Sequence, residues 1–210
     1  MNMFRIKLAA LVAVLGLAAI ATAAIAGGRG GGVKAQLSGY EETPLTLSSP
    51  ATGSFRARVD EGPQQIGFKL RYSGFETDVT QAHIHFGARA TTGGISVWLC
   101  ANNPPITNAP AGTPACPVRS GTVTGTITPA GVVGPAAQGI APGEFGELVS
   151  AIRAGATYVN VHTTANPGGE IRAQLAGGLP GHGKGHGHAY GHGKGGAYDQ
   201  LRGGKGGHDD

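Results

Sequence analysis

Charged and aromatic residues are scarce in this sequence. Charged side chains make up 13% of its 210 residues, aromatic side chains 6%, and the formal net charge is +4. Nucleic-acid-binding proteins carry clustered lysines and arginines that neutralise phosphates. The basic residues here are scattered and form no stripe with aromatic residues, so we expect no nucleic-acid partner.

Cysteine is scarce too, since the chain has only Cys100 and Cys116. They bracket an irregular loop with four prolines, residues 101–115, and lack the close C-x-x-C spacing of redox sites. We predict a disulfide bond between them that contributes about 3 kcal/mol to the free energy of unfolding. Metal ligation by these cysteines is a less favoured alternative. Because a Gly-x-Ser-x-Gly motif is absent as well, the sequence leans against an enzyme.

Long hydrophobic runs are confined to the N-terminus. Arg5 and Lys7 precede an apolar run over residues 8–20 that ends in small residues, the three-part pattern of a secretory signal peptide. We predict a signal peptide over residues 1–26, cleaved after Ala26 or alternatively after Ala23. An uncleaved membrane anchor is the other alternative. We therefore expect a secreted or periplasmic protein that meets a membrane only through this peptide before cleavage.

The middle of the chain has the pattern of an all-β domain. A glycine-rich spacer, residues 27–32, is followed by short segments in which apolar and polar residues alternate between turn residues. We predict one domain over residues 33–176, an antiparallel, Greek-key-like β-sandwich. It has about eight strands, at residues 34–38, 51–59, 65–73, 80–86, 95–100, 121–128, 157–163 and 170–175.

One segment departs from the strand pattern. Apolar residues recur there at helical spacing, at Phe145, Leu148, Val149 and Ile152. This spacing predicts a short amphipathic helix over residues 145–153 whose apolar stripe packs on the sandwich.

The C-terminal residues 177–210 are rich in glycine and histidine and have no apolar periodicity. We predict a disordered tail. Its histidines are either weak, unselective metal ligands or solvated filler, and the candidates are His182, His186, His188 and His192.

Two histidines stand two residues apart in the predicted strand at residues 80–86. Side chains alternate between the faces of a strand, so His83 and His85 share one face. Their Cα atoms are then about 6.6 Å apart, close enough for both imidazoles to bind one ion.

A third histidine lies in the hairpin over residues 158–175, whose turn is Asn-Pro-Gly-Gly. If its first strand neighbours the His83 strand, His162 completes a three-histidine site for copper or zinc. The same outer, polar face carries possible orienting or anion-attracting groups, Asn160, Glu170 and Arg172. The alternative is that the histidines only form hydrogen bonds on a polar strand face.

Two further interpretations concern single residues outside this set. Glu41 and Glu42 are adjacent acidic residues in a predicted turn, and we expect both to be solvated. Trp98 lies in an apolar run with Ile95 and Val97, which favours a place in the core.

These motifs resemble a known family. The Ala-His-Ile-His-Phe-Gly strand at residues 82–87, the Val-Asn-Val-His-Thr strand at 159–163 and Gly-Gly-Glu-Ile-Arg at 168–172 are similar to the CHRD domain, first named from chordin. The resemblance covers about residues 33–176. It implies a secreted single-domain protein without an assigned reaction, and it does not imply growth-factor binding, which belongs to other modules of chordin.

A weaker similarity is to Cu/Zn superoxide dismutase, where a His-x-His strand and a later Val-x-His strand supply copper ligands. The matching positions are His83, His85 and His162, with Arg172 as the anion-attracting arginine. The bridging histidine and the zinc-loop ligands have no counterpart in the sequence, so the similarity implies at most one ion.

We expect a secreted binding or interaction module with an unknown protein, envelope or matrix partner and a mononuclear copper or zinc site. Two alternatives stay open. One is a superoxide dismutase-like copper metalloenzyme. The other is a cell-envelope or matrix-associated structural protein whose Gly/His tail sequesters metal.

Overall fold

A computed structural model describes residues 31–175 of the chain. The predicted signal peptide, most of the predicted spacer and the predicted tail with its histidines lie outside the described residues, so those expectations stay predictions. Within the described part no helix is long and apolar enough to cross a membrane.

In the described part of the chain, eight strands and one α-helix form where the sequence predicts them. The helix α1 spans Phe145–Arg153, the predicted residues. The strand ends differ from the predicted ones by at most two residues. The largest difference is at β1, which begins at Gly32 and pairs there with Arg58. The strands are β1 Gly32–Ser38, β2 Thr52–Asp60, β3 Gln65–Ser73, β4 Val79–Phe86, β5 Gly94–Ala101, β6 Gly121–Ile127, β7 Thr157–Thr163 and β8 Ile171–Leu175. Single 3-10 turns occur at Gly39–Glu41, Pro129–Gly131 and Ala136–Gln138.

All strands belong to one antiparallel sheet in the order β5-β4-β7-β8-β1-β2-β3-β6. The two edge strands, β5 and β6, approach each other without joining the ladder. The sheet therefore curls on itself into a sandwich-like body with its core inside, which confirms the predicted all-β class.

The core is built from the apolar side of every strand. In β3 burial alternates residue by residue, with Ile66, Phe68, Leu70 and Tyr72 buried. The predicted apolar stripe of α1 is buried in the same cluster, which confirms that the helix packs on the sheet. Burial of each such aliphatic or aromatic side chain stabilises the fold by about 1.5–3 kcal/mol.

The predicted disulfide bond between Cys100 and Cys116 is present. Asn102 holds the loop that the disulfide bond closes. Its side-chain amide donates to the carbonyls of Val79 and Cys116, and its Oδ1 accepts from the Cys116 amide. The loop is thus attached to the start of β4 as well as to β5.

The polar face of β4, β7 and β8 is buried, which corrects the expectation that it is an outer face. Every residue of β7 is buried, and so are Asn160, Glu170 and Arg172. The physical reason is that two irregular segments, residues 39–51 and 87–93, lie over this face. Their contacts with it include Ser49 with Glu170 and the carbonyls of Ala88 and Thr91 with Arg172.

Candidate metal centre

The pairing of β4 with β7 determines which side chains meet on the buried polar face. His83 lies opposite Asn160 and His85 opposite Tyr158, while His162 lies opposite Gln81. On the far side of β7, Asn160 lies opposite Arg172 of β8. The strand with His83 and the strand with His162 are therefore neighbours in the sheet, as the three-histidine hypothesis requires.

The three histidines come together on this face. One ring nitrogen from each of His83, His85 and His162 lies within 4.8 Å of the others, and the residues are only 1%, 8% and 6% exposed. Nitrogens that bind one zinc or copper ion lie about 3.3–3.6 Å apart, since each bond is about 2 Å long. Small side-chain adjustments thus suffice to bring all three to one ion.

Two backbone carbonyls determine the tautomers of His85 and His162. The Nδ1 atom of His85 lies 3.0 Å from the Gly93 carbonyl, and Nδ1 of His162 lies 3.0 Å from the Pro167 carbonyl. A carbonyl only accepts, so both Nδ1 atoms carry the hydrogen and both Nε2 atoms keep a free lone pair. This is the arrangement by which second-shell groups orient metal-binding histidines in general.

His83 contacts His162 directly, with its Nδ1 atom 3.2 Å from Nε2 of His162. Since that Nε2 atom has no hydrogen, His83 is the donor and its own Nε2 atom keeps a lone pair. Among the described residues, 31–175, the Nε2 atoms of His83 and His85 are buried without a hydrogen-bond partner. A buried polar atom without a partner is costly unless a ligand satisfies it, so these atoms fit a metal ion.

Burial keeps all three imidazoles neutral. It lowers the pKa of His83 to about 2, with further contributions from His162 and His85. It also lowers the pKa of His85 and of His162 to about 4, although the bonds to Gly93 and Pro167 oppose the shift. Neutral imidazole is the form that binds a metal, so the site is ready for an ion across the ordinary pH range.

Trp98 forms one wall of the site and not part of the core, which corrects the sequence-based expectation. Its ring meets the His83 ring edge-on at 4.3 Å between centroids, and the residue is half-buried. Irregularities in the β4–β5 pairing bring Trp98 opposite His83 while Val97 lies opposite Ile84 in the core. Such a bulge redirects side chains.

Tyr158 and Arg172 form a second wall. The Tyr158 ring stacks on His85 at 4.8 Å between centroids and 2° between planes, and the Arg172 guanidinium lies 3.6 Å from the centre of the Tyr158 ring. Arg172 also donates to the carbonyls of Ala88 and Thr91. The predicted flanking arginine is therefore near the site, one aromatic ring away from His85.

Glu170 has a different environment from the predicted one. Its carboxylate accepts hydrogen bonds from Ser49, Thr163 and Asn166, and within residues 31–175 it forms no ion pair with Arg172. Glu170 thus fastens the β7–β8 turn to the segment after β1.

Glu42 is a member of the face that sequence reasoning missed. It is 6% exposed, which corrects the expectation that it is solvated, and it accepts a hydrogen bond of 3.4 Å from the Asn160 amide. Burial raises its pKa to about 7, against the opposing effects of the Thr43 amide and Arg172. No periodic pattern marks Glu42, because it lies in an irregular segment whose path is decided by tertiary contacts.

Comparison with known proteins gives one match. The family model of the CHRD domain matches residues 33–175. No curated protein and no solved structure matches the chain.

Proposed function

The chain belongs to the CHRD domain family, and from this premise we propose that it is a secreted binding module whose working part is a mononuclear metal site. The site consists of His83, His85 and His162. The family supports a binding or interaction module, and the disulfide bond is compatible with an oxidising compartment. Together with the predicted signal peptide, these features favour secretion.

The observation that carries the metal proposal is the state of the imidazole nitrogens. Within residues 31–175, Nε2 of His83 and of His85 is buried without a partner. The bond from Nδ1 of His162 to the Pro167 carbonyl leaves Nε2 of His162 without a hydrogen. A merely structural hydrogen-bonding role does not explain two unsatisfied acceptors on neighbouring rings of one buried cluster. A metal ion satisfies both.

The donor set determines the class of metal. Imidazole nitrogens suit copper and zinc, whereas magnesium and calcium prefer oxygen ligands. Three protein ligands also leave a coordination position for a water molecule or a ligand group. We therefore propose copper or zinc as the metal, and a donor atom of a ligand or partner at the remaining position.

The dismutase alternative has less support. An anion-attracting arginine must present its guanidinium to the solvent side of the site, but Arg172 is 2% exposed and donates to the carbonyls of Ala88 and Thr91. The tail-based alternative concerns residues outside the described part of the chain. Fractionation of cells that express the chain with and without residues 177–210 tests it, because an envelope protein that depends on its tail loses envelope association on truncation.

Metal titration tests the proposed site. The tail histidines must first be removed as competitors, so the parent protein is the full chain with alanine at His182, His186, His188, His192 and His208. Trp98 is the only tryptophan and touches His83, so bound Cu(II) should quench its fluorescence, with a break at one equivalent. Zinc uptake is followed by calorimetry.

The variant for this titration carries His83→Ala and His85→Ala. We expect it to keep its circular dichroism spectrum but to lose the stoichiometric quenching and the zinc heat. The proposal is wrong if the parent protein binds none of Cu(I), Cu(II) and Zn(II) more tightly than the double variant does.

A further inference from the structure

We propose that this centre selects monovalent copper, Cu(I), over divalent ions. The inference rests on the proposed metal site and goes further by naming the oxidation state that the surroundings of the three histidines favour. It follows from the charge of the ligands, the burial of the site and the fixed position of Arg172.

The ligand set carries no negative charge. Within residues 31–175, the cluster that could hold a metal contains His83, His85 and His162 but no carboxylate and no thiolate. Histidine binds a metal as the neutral imidazole, so the three ligands bring no charge to the ion. A bound divalent ion therefore keeps two uncompensated positive charges, whereas Cu(I) keeps one.

Burial makes this difference costly. The cost of moving an ion from water into a medium of low dielectric constant rises with the square of its charge, so it is about four times larger for a divalent ion. The three histidines are almost fully buried, and the rings of Trp98 and Tyr158 wall them in. The site thus penalises Zn(II) and Cu(II) far more than Cu(I).

A fixed cation adds to the penalty. Arg172 holds its guanidinium 3.6 Å from the centre of the Tyr158 ring, which stacks on His85. The field of this charge repels a metal ion in proportion to the charge of that ion. The guanidinium cannot swing away without losing its bonds to Ala88 and Thr91 and its stacking on Tyr158. A divalent ion feels twice the repulsion that Cu(I) feels.

Neither of the two nearby carboxyl groups is a ligand in the three-histidine cluster. Glu170 is engaged by three hydrogen-bond donors, from Ser49, Thr163 and Asn166. Glu42 lies beside Asn160, outside the ligand cluster. Three nitrogen ligands are enough to hold Cu(I), and a further ligand can still be added, whereas structural zinc requires a fourth ligand.

Competition experiments measure the preference. The protein is again the full chain with alanine at the five tail histidines. Cu(I) affinity is measured without oxygen against bathocuproine disulfonate, and Zn(II) affinity against 4-(2-pyridylazo)resorcinol. We expect Cu(I) to bind at least about a hundredfold more tightly than Zn(II). Equal affinities, or tighter zinc binding, overturn the inference but leave the proposed metal site standing, whereas binding of neither ion overturns both.

A pair of variants isolates the charge of Arg172. Arg172→Gln removes the charge and keeps a donor for the carbonyls, and Arg172→Lys keeps the charge. We expect Arg172→Gln to reduce the ratio of Cu(I) to Zn(II) affinity by about tenfold and Arg172→Lys to change it by less than about twofold. A purely structural role weakens both ions together and leaves the ratio unchanged. An unchanged ratio in Arg172→Gln, or equal changes in both variants, contradicts the role of the charge.

Discussion

The Nδ1 atom of His83 lies 3.2 Å from the Nε2 atom of His162 and donates a hydrogen bond to it. The direction of this bond follows from the second nitrogen of His162, which donates to the Pro167 carbonyl. The bond occupies the lone pair of His162 that a metal ion requires. Metal binding must therefore break a hydrogen bond inside the cluster, which makes the two imidazoles sensitive reporters of occupancy.

The tautomers of the metal-free protein are the first testable consequence. His83, His85 and His162 should all carry hydrogen on Nδ1, because each Nδ1 atom faces an acceptor, whereas free histidine in water prefers hydrogen on Nε2. Two-bond ¹H–¹⁵N correlation spectra of the protein with alanine tail histidines distinguish the two forms. Hydrogen on Nε2 of His162 would contradict the proposed donor set. Addition of metal should shift the Nε2 resonance of His162 most.

The pH dependence of stability follows from the low pKa of the buried histidines. Each pKa is near 6.5 in the unfolded chain and about 2 to 4 in the folded protein. The unfolded state therefore binds more protons below pH 6.5, and the free energy of unfolding falls on acidification by about 1.4 kcal/mol per pH unit and histidine. The stability is full above pH 6.5 and is lost between pH 6.5 and about 4 for His85 and His162, and between pH 6.5 and about 2 for His83.

Glu42 partly offsets this loss, since its folded pKa of about 7 exceeds its ordinary value of 4.5. For the metal-free protein we expect a net loss of about 3 kcal/mol between pH 7.5 and pH 5, measured by urea unfolding at each pH. His85→Gln should flatten the profile. A profile that is level over this range would contradict the burial of the histidines as neutral rings.

The sequence predicts which residues of β4 and β7 share a face, but not whether that face is covered. The alternation of residues along each strand is a local property, so it placed His83 with His85 and Asn160 with His162 correctly on shared faces. The Asn-Pro-Gly-Gly turn likewise gave the hairpin register. What alternation cannot tell is whether a polar face is covered, because the covering segments are irregular and come from distant parts of the chain.

Trp98 and Glu42 illustrate the two kinds of information that were missing. The position of Trp98 depends on irregular pairing between β4 and β5, which no residue pattern in β5 announces. The burial of Glu42 depends on where the segment after β1 folds, and Glu41 beside it remains on the surface in an ion pair with Arg89. Tertiary contacts, and not the local sequence, separate these two adjacent glutamates.

Replacement of Glu42 by glutamine should stabilise the protein at alkaline pH. The folded carboxyl group binds its proton more tightly than the unfolded one, so its stabilising contribution is present below pH 4.5 and is lost as the pH rises through 7. We expect Glu42→Gln to be about 2 kcal/mol more stable than the parent at pH 8.5, with a difference that shrinks toward pH 5. Denaturant unfolding at both pH values measures it. Glu41→Gln is the matched control, since Glu41 is on the surface and should change stability by less than about 1 kcal/mol.

Two adjacent glycines test the packing around Asn160. Gly169 has a φ of 129°, and a Cβ atom there would lie 2.4 Å from the Asn160 amide nitrogen. A Cβ on Gly168 would meet no atom of the described residues within 4 Å. We expect Gly169→Ala to lower the free energy of unfolding by about 1–3 kcal/mol or more. Gly168→Ala should stay within about 1 kcal/mol of the parent. Equal effects in thermal or urea unfolding would show that Asn160 is not held against this turn.

Acid release of metal should separate the histidine centre from the tail. Protons compete with a metal for each imidazole, and a solvated histidine has a pKa of about 6.5, whereas His85 and His162 are protonated only near pH 4. A full chain with its natural tail, loaded with copper at pH 7.5, should therefore release the tail-bound ions by pH 5.5 and retain about one equivalent. Dialysis followed by elemental analysis measures the retained metal, and the His83→Ala plus His85→Ala variant should retain none at pH 5.5. Complete release from the natural chain by pH 6 would mean that the bound copper is on solvated histidines. The buried cluster should lose its ion only at a pH where its own imidazole nitrogens are protonated.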